Sequence, residues 1–177
     1  MEGYRMKLVG KYSAASALRW LLGFFNVFVT IGAVAVGVLL VASMIIGVDW
    51  MEPLRDGAAD PDGNYELTGR LTLLGGFLAC GLTWWVINRL RRILLSVNQG
   101  DAFEFANVKR LQAVGFGLLG IQLTSLMLSI VAPQAIGQSA SDYDFDLGSW
   151  LGILVVFILA EVFRQGAAMR DEQLTTV

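Results

Sequence analysis

The chain contains no histidine and a single cysteine, Cys80, set in an apolar stretch. The commonest general base, metal ligand and pH switch is therefore missing. One thiol makes neither an intrachain disulfide nor a zinc cluster, and Cys80 reads as a small core residue. Catalysis would have to run on Asp, Glu, Ser, Thr, Lys or Tyr, and few places bring these together. Asp60-Pro61-Asp62-Gly63-Asn64 has the alternating oxygen ligands that open a calcium loop. Its glycine is misplaced, however, and the twelfth position is Leu71 rather than Glu. Asp142-Tyr143-Asp144-Phe145-Asp146 alternates acids with aromatics, so an extended segment puts the carboxylates on one side. There Gly148 comes one place late and the twelfth position is Ile153. A solvated acidic edge accounts for this segment better than a metal site, and attraction of a cationic ligand is the remaining reading. No nucleophile-and-base pair is visible, which predicts a non-enzymatic protein with no catalytic residues, metal or cofactor.

Two further positions stand out. Ser96-Val97-Asn98-Gln99-Gly100 reads as a helix end with Gly100 in the left-handed cap. Asp101 precedes Glu104 by three residues, as in a capping box. That predicts a new helix from about Ala102, running through Phe103, Phe105, Val108 and Leu111. Arg89, Arg91 and Arg92 close the preceding helix, where cations favour both the helix dipole and anionic headgroups. Asn107 has no capping role in the new helix and is left without a purpose. Glu161 is the one acid inside an uncharged stretch, which makes it a functional candidate by default. Arg164 lies three residues on and within reach, so a structural ion pair is the competing reading.

The elements that must carry these residues are set by composition. The chain has 177 residues, of which 55% are hydrophobic and 16% charged, and its mean hydropathy is +0.61. A soluble domain carries about 25% charged residues, so a disordered chain, a coiled coil and an ordinary soluble enzyme domain are all excluded. Leu21 to Val48, Leu71 to Asn88, Leu111 to Ala132 and Leu147 to Phe163 run for 28, 18, 22 and 17 residues, with Glu161 their only charge. A helix needs about 20 residues to cross the hydrocarbon core. The expectation is an all-α integral membrane four-helix bundle in one domain. Its spans fall at about 21–48, 71–89, 111–132 and 147–163, with one inner loop at 90–110 and outer loops at 49–70 and 133–146. The first span is too long for a signal-peptide core and no cleavage pattern follows it, so it is read as retained.

Charge orients the spans. Eleven of the 13 basic residues fall before the first span, between the second and third, or after the fourth; only Arg55 and Arg70 fall opposite. The positive-inside rule then places both termini in the cytoplasm. The outer loops carry nine acids, from Asp49 to Glu66 and from Asp142 to Asp146. Trp20, Trp50 and Trp150 sit at span ends, where indole prefers the headgroup region. Small residues recur four apart at Ala33 and Gly37, Ser43 and Gly47, Gly75 and Ala79, and Ala113 and Gly117. In lipid such pairs let helices approach closely, and packing inside the bundle is favoured over a dimer seam. With a formal net charge of −2 there is no global basic field for direct binding of nucleic acid.

Two segments together resemble a known bacterial family, domain of unknown function 2975. One is Gly100-x-x-Phe103-x-x-x-Asn107-x-x-Arg110-Leu111, similar to that family's inner-loop motif. The other is Leu159-Ala160-Glu161-Val162-Phe163-Arg164-Gln165-Gly166 followed by Arg170-Asp171-Glu172-Gln173-Leu174-Thr175, similar to its C-terminal motif. The chain departs from the family at Ala102, where proline is frequent, and in its last residues, where Gln173 replaces an acid and Thr176 is added. The resemblance implies a small four-helix protein of the bacterial inner membrane, frequently encoded beside a very small helix-turn-helix regulator. It implies no catalytic residues. It draws attention to Gly100, Phe103, Asn107, Arg110, Glu161, Arg164, Gly166 and Leu174 as candidates for partner binding at the cytoplasmic face.

Three function classes follow. The first is a regulatory membrane protein whose inner loop and tail bind the small soluble DNA-binding regulator, with Glu161 and Arg164 anchoring the fourth helix to that loop. The second is an immunity or resistance protein that meets a cationic membrane-active peptide at the acidic outer loops. The third is a small oligomeric transporter or channel, disfavoured because no span carries a charge at its centre.

Overall fold

The computed structural model describes residues 14–47, 65–131 and 146–175. They form four helices: α1 (Ala14–Ile46), α2 (Tyr65–Asn98), α3 (Phe105–Val131) and α4 (Leu147–Thr175). All four are long and apolar enough to cross a membrane. The chain is therefore read as a multi-pass membrane protein. The calcium-like segment 60–64, the acids from Asp49 to Asp62, Asp142, Asp144 and Trp50 lie outside the described residues.

Each helix overruns the apolar stretch that predicts it. At about 1.5 Å per residue, the 34 residues of α2 reach roughly 50 Å, against a hydrocarbon core of about 30 Å. Hydropathy marks the part that lipid demands. The helix itself continues into polar sequence because each added residue makes its own backbone bond. The inner loop at 90–110 is mostly helix, as the cap at Gly100 and the expected new helix imply, with residues 99–104 between α2 and α3.

The helices pack chiefly on their chain neighbours: α1 on α2, α2 on α3 and α3 on α4. Backbone approach depends on small residues. A Cβ added at Gly75 would overlap Leu128, and one at Gly117 would overlap Val86. Both glycines thus serve contacts within the bundle, as the spacing predicts. Gly115, which no spacing marks, takes the ring of Phe157. Hydroxyls inside the spans are satisfied by their own helices: Thr30, Thr72, Thr83 and Thr124 donate to the carbonyls of Asn26, Thr68, Ala79 and Gly120 at 2.7–2.8 Å. Several polar groups that a pore would need are therefore already engaged.

At the far end, Gly47 ends α1 at a φ of 86°. Arg70 pairs with Glu66 and reaches back 3.3 Å to the Ser43 carbonyl, tying the start of α2 to the last turns of α1. Asp146 caps α4. Its carboxylate accepts the amides of Gly148 at 3.0 Å and Ser149 at 3.2 Å and the Ser149 hydroxyl. The sequence reading placed Asp146 in a solvated acidic edge. It is exposed, as that reading has it, and it also stands one residue before the helix, where a carboxylate meets the unpaired N–H groups. The Ser149 hydroxyl, then the two amides, hold its carboxyl below the ordinary aspartate range.

Candidate functional site

Among the described residues, the α2–α3 turn is the most densely bonded part outside the helices. Gly100 adopts a φ of 86°, the left-handed conformation that suits glycine. The Asp101 amide bonds to the Ser96 carbonyl at 3.1 Å and the Gly100 amide to Val97 at 3.0 Å. This pair of bonds is the Schellman closure of a helix end. The predicted capping box does not form. α3 begins at Phe105 rather than near Ala102. The Asp101 carboxylate turns away from α3 to pair with Arg170 of α4.

Asn107 does the bracing instead. It is fully buried, on the first turn of α3. Its carboxamide nitrogen donates to the carbonyls of Ala102 at 3.0 Å and Asp101 at 3.3 Å. Its oxygen accepts from Arg110 at 2.8 Å, and Arg110 lies 3.7 Å from Glu104. The buried Ser96 hydroxyl contacts Glu104 Oε2 at 2.8 Å and the Asp101 carbonyl at 3.2 Å. One chain of polar contacts thus runs from the end of α2 through the turn into α3.

α4 closes on this turn by shape. The rings of Phe103 and Phe163 lie 5.3 Å apart. A Cβ at Gly166 would stand 2.7 Å from Phe103 Cδ1, so only glycine admits the ring there. Ala160 and Ala167, on the same side of α4, are buried. The Arg170–Asp101 pair completes the clasp.

Of the eight candidate residues, Gly100, Phe103, Asn107, Arg110 and Gly166 come together here. Glu161 and Arg164 do not anchor α4 to the loop. They pair with each other at 2.6 and 2.9 Å, Gln165 adds a third bond at 3.2 Å, and all three side chains are exposed on α4. The anchors are Phe163, Gly166 and Arg170, because these sit on the face of α4 turned to α3. Phe163 and Arg170 were within the C-terminal motif but carried no signal of their own. Ser96 had no signal beyond its place near a helix end. Leu174 lies in the last turn of α4.

Chemically, this site is a fastener. Its donors and acceptors are matched to one another, and among the described residues no group of three His, Cys, Asp or Glu could hold a metal ion. What it presents outward is aromatic: Phe103 is 46% exposed and Phe105 49%.

The family described as protein of unknown function (DUF2975) matches residues 6–177, nearly the whole chain. The chain belongs to that family. No curated protein and no solved structure matches it.

Proposed function

We propose that this four-span family member is a non-enzymatic, regulatory protein of the bacterial inner membrane. Its α2–α3 turn and the end of α4 form a cytoplasmic docking surface for a small soluble helix-turn-helix regulator. The observation that carries this reading is the clasp itself. Two sequence motifs separated by about 50 residues in the chain lock together at one end of the molecule and hold Phe103 and Phe105 partly exposed. Exposed aromatics on a rigid support are the composition of protein-binding hot spots. The distribution of basic residues supports a cytoplasmic setting for this end: Arg19, Arg89, Arg91, Arg92, Lys109 and Arg110 lie toward it. The partner class comes from the family resemblance. Holding such a regulator away from DNA requires two arrangements of the membrane protein that bind it unequally.

The test is co-purification from native membranes after brief crosslinking, followed by titration of the recovered regulator onto the protein in nanodiscs. The full chain is compared with Phe105→Ala and with a chain ending after Gly166. Binding lost in both variants supports the surface. A regulator that binds all three equally, or none at all in the crosslinked full chain, sinks the reading.

The acidic sequence between Asp49 and Glu66 favours a second reading, protection against a cationic peptide on the opposite side. Neutralising those acids and challenging cells with such a peptide tests it; unchanged survival eliminates it.

A further inference from the structure

The helix pair α1–α2 carries a feature that the docking surface does not use. At the α2–α3 end, Arg19 of α1 and Arg91 and Arg92 of α2 line one cavity of about 320 Å³, together with Asn88. Arg19 and Arg91 also line the adjoining cavity of about 480 Å³, beside Trp20 and Gly23. The Arg91 guanidinium packs against α1 at Gly23, 3.7 Å from a Cβ placed there, an ordinary contact. None of these three arginines takes part in an ion pair among the described residues. The Arg91 Nε is buried and has no hydrogen-bond partner. Three guanidinium groups around one cavity repel one another unless an anion enters, and a buried unpaired donor is costly unless an acceptor reaches it. The planar fork of arginine suits phosphate oxygens.

A third cavity lies farther along the same helix pair. It is about 560 Å³, almost wholly apolar, and runs between Thr30 and Val41 of α1 and between Phe77 and Trp84 of α2. By register, the arginine-lined mouth and this apolar cavity fall on one line along the helix pair. On α1, Arg19, Gly23 and Val27 are followed at helical spacing by Thr30, Gly37 and Val41. On α2, Arg91 and Asn88 are followed by Trp84, Gly81 and Phe77. Residues three and four apart share a helix face, so mouth and groove open on the same side. On α2, Trp84 and Phe77 lie seven and fourteen residues from Arg91, roughly 10 and 21 Å along the helix at about 1.5 Å per residue, a depth that an acyl chain reaches from its headgroup toward the middle of a hydrocarbon core of about 30 Å. Nothing lies within 4 Å of a Cβ built at Gly81, so the floor of the groove is open.

We propose that this groove seats one anionic phospholipid, its phosphate held by Arg19, Arg91 and Arg92 and an acyl chain lying along Gly37, Gly81 and Trp84. The charge selects the headgroup and the apolar groove selects a membrane lipid over free phosphate. This site is independent of the docking surface.

The full chain, purified in neutral detergent and stripped of lipid, is examined by native mass spectrometry and by thermal stability. The probes are phosphatidylglycerol, phosphatidylcholine and inorganic phosphate. Phosphatidylglycerol should be retained and should raise the melting temperature, with phosphatidylcholine and phosphate much weaker. Arg91→Gln should weaken phosphatidylglycerol about tenfold or more, the loss expected for a charged hydrogen bond. Arg19→Gln provides the same test should Arg91→Gln fail to fold. Gly81→Leu fills the groove and should weaken the lipid while leaving the response to phosphate unchanged. Equal retention of both lipids, untouched by the arginine variants, would mean ordinary annular lipid and overturn the proposal. Inorganic phosphate matching phosphatidylglycerol, with Gly81→Leu silent, would mean an anion site without a lipid seat and overturn it as well.

Discussion

Asn107 and Glu161 are the polar residues that sequence chemistry singles out, and their surroundings give them opposite weights. Asn107 is fully buried with both ends of its carboxamide engaged. Truncating it leaves the Asp101 and Ala102 carbonyls without their side-chain donor in a dry site, a loss of about 1–3 kcal/mol. Glu161 is exposed and bonded only along its own helix. Exposed pairs of this kind contribute little, because water and salt screen them. Asn107→Ala should therefore lower stability in mild detergent clearly, and Glu161→Ala hardly at all, when both are unfolded by denaturant titration. Similar losses in the two variants would contradict this assignment. Gly100 was legible in the sequence because its job, a left-handed cap, is local. The purpose of Asn107 was not, because the carbonyls it holds face it only after the turn has closed. Phe163 and Arg170 were hidden for the same reason: their partners, Phe103 and Asp101, are 60 and 69 residues away in the chain.

At the scale of elements, the apolar stretches reveal which segments cross but not how far each helix extends. Lipid sets the first, and caps and turns set the second. Asp146 shows the difference: among neighbouring acids its alternation suggested an edge, yet its place one residue before Leu147 makes it a cap. Asp146→Ala should fray the first turn of α4, since it removes the acceptor for two otherwise unpaired amides. The carboxyl is depressed in the folded chain, so its contribution is present above the ordinary aspartate pKa and is lost as pH falls through the lower folded value. Protection of the Gly148 and Ser149 amides, taken relative to intrinsic exchange at each pH, should fall on acidification, and in Asp146→Ala it should be low already near neutral pH. Glycine contacts give a second element-scale prediction. Gly117→Ala presses into Val86, a stiff buried neighbour, and should cost about 1–3 kcal/mol. Gly152→Ala meets nothing within 4 Å and should be neutral or slightly stabilising. Equal melting temperatures for the two variants would mean that α2 and α3 do not approach as closely as described.

For the whole molecule, the decisive quantity is which end faces the cytoplasm, because the docking reading depends on it. Gln99 lies in the α2–α3 turn and Leu147 at the start of α4. Gly166 meets Phe103 beside that turn, and the 19 residues back to Leu147 span about 28 Å of helix. Gln99 and Leu147 therefore mark opposite ends of the protein. Of the described basic residues, Arg70 alone lies toward the Leu147 end, whereas the other arginines of α1 and α2 gather toward Gln99. The bias in charge predicts that the Gln99 end stays inside, since lysine and arginine resist transfer across the membrane during insertion. In a chain freed of its own thiol by Cys80→Ala, Gln99→Cys should react with a membrane-impermeant maleimide only in inside-out vesicles. Leu147→Cys, 63% exposed, should react only in right-side-out ones. The reverse pattern would put the clasp and its aromatics outside, beyond the reach of any cytoplasmic regulator. It would turn attention to ligands arriving at that face instead. Labelling of one site from both sides would mean that the chain inserts in two orientations, which the strong charge asymmetry argues against.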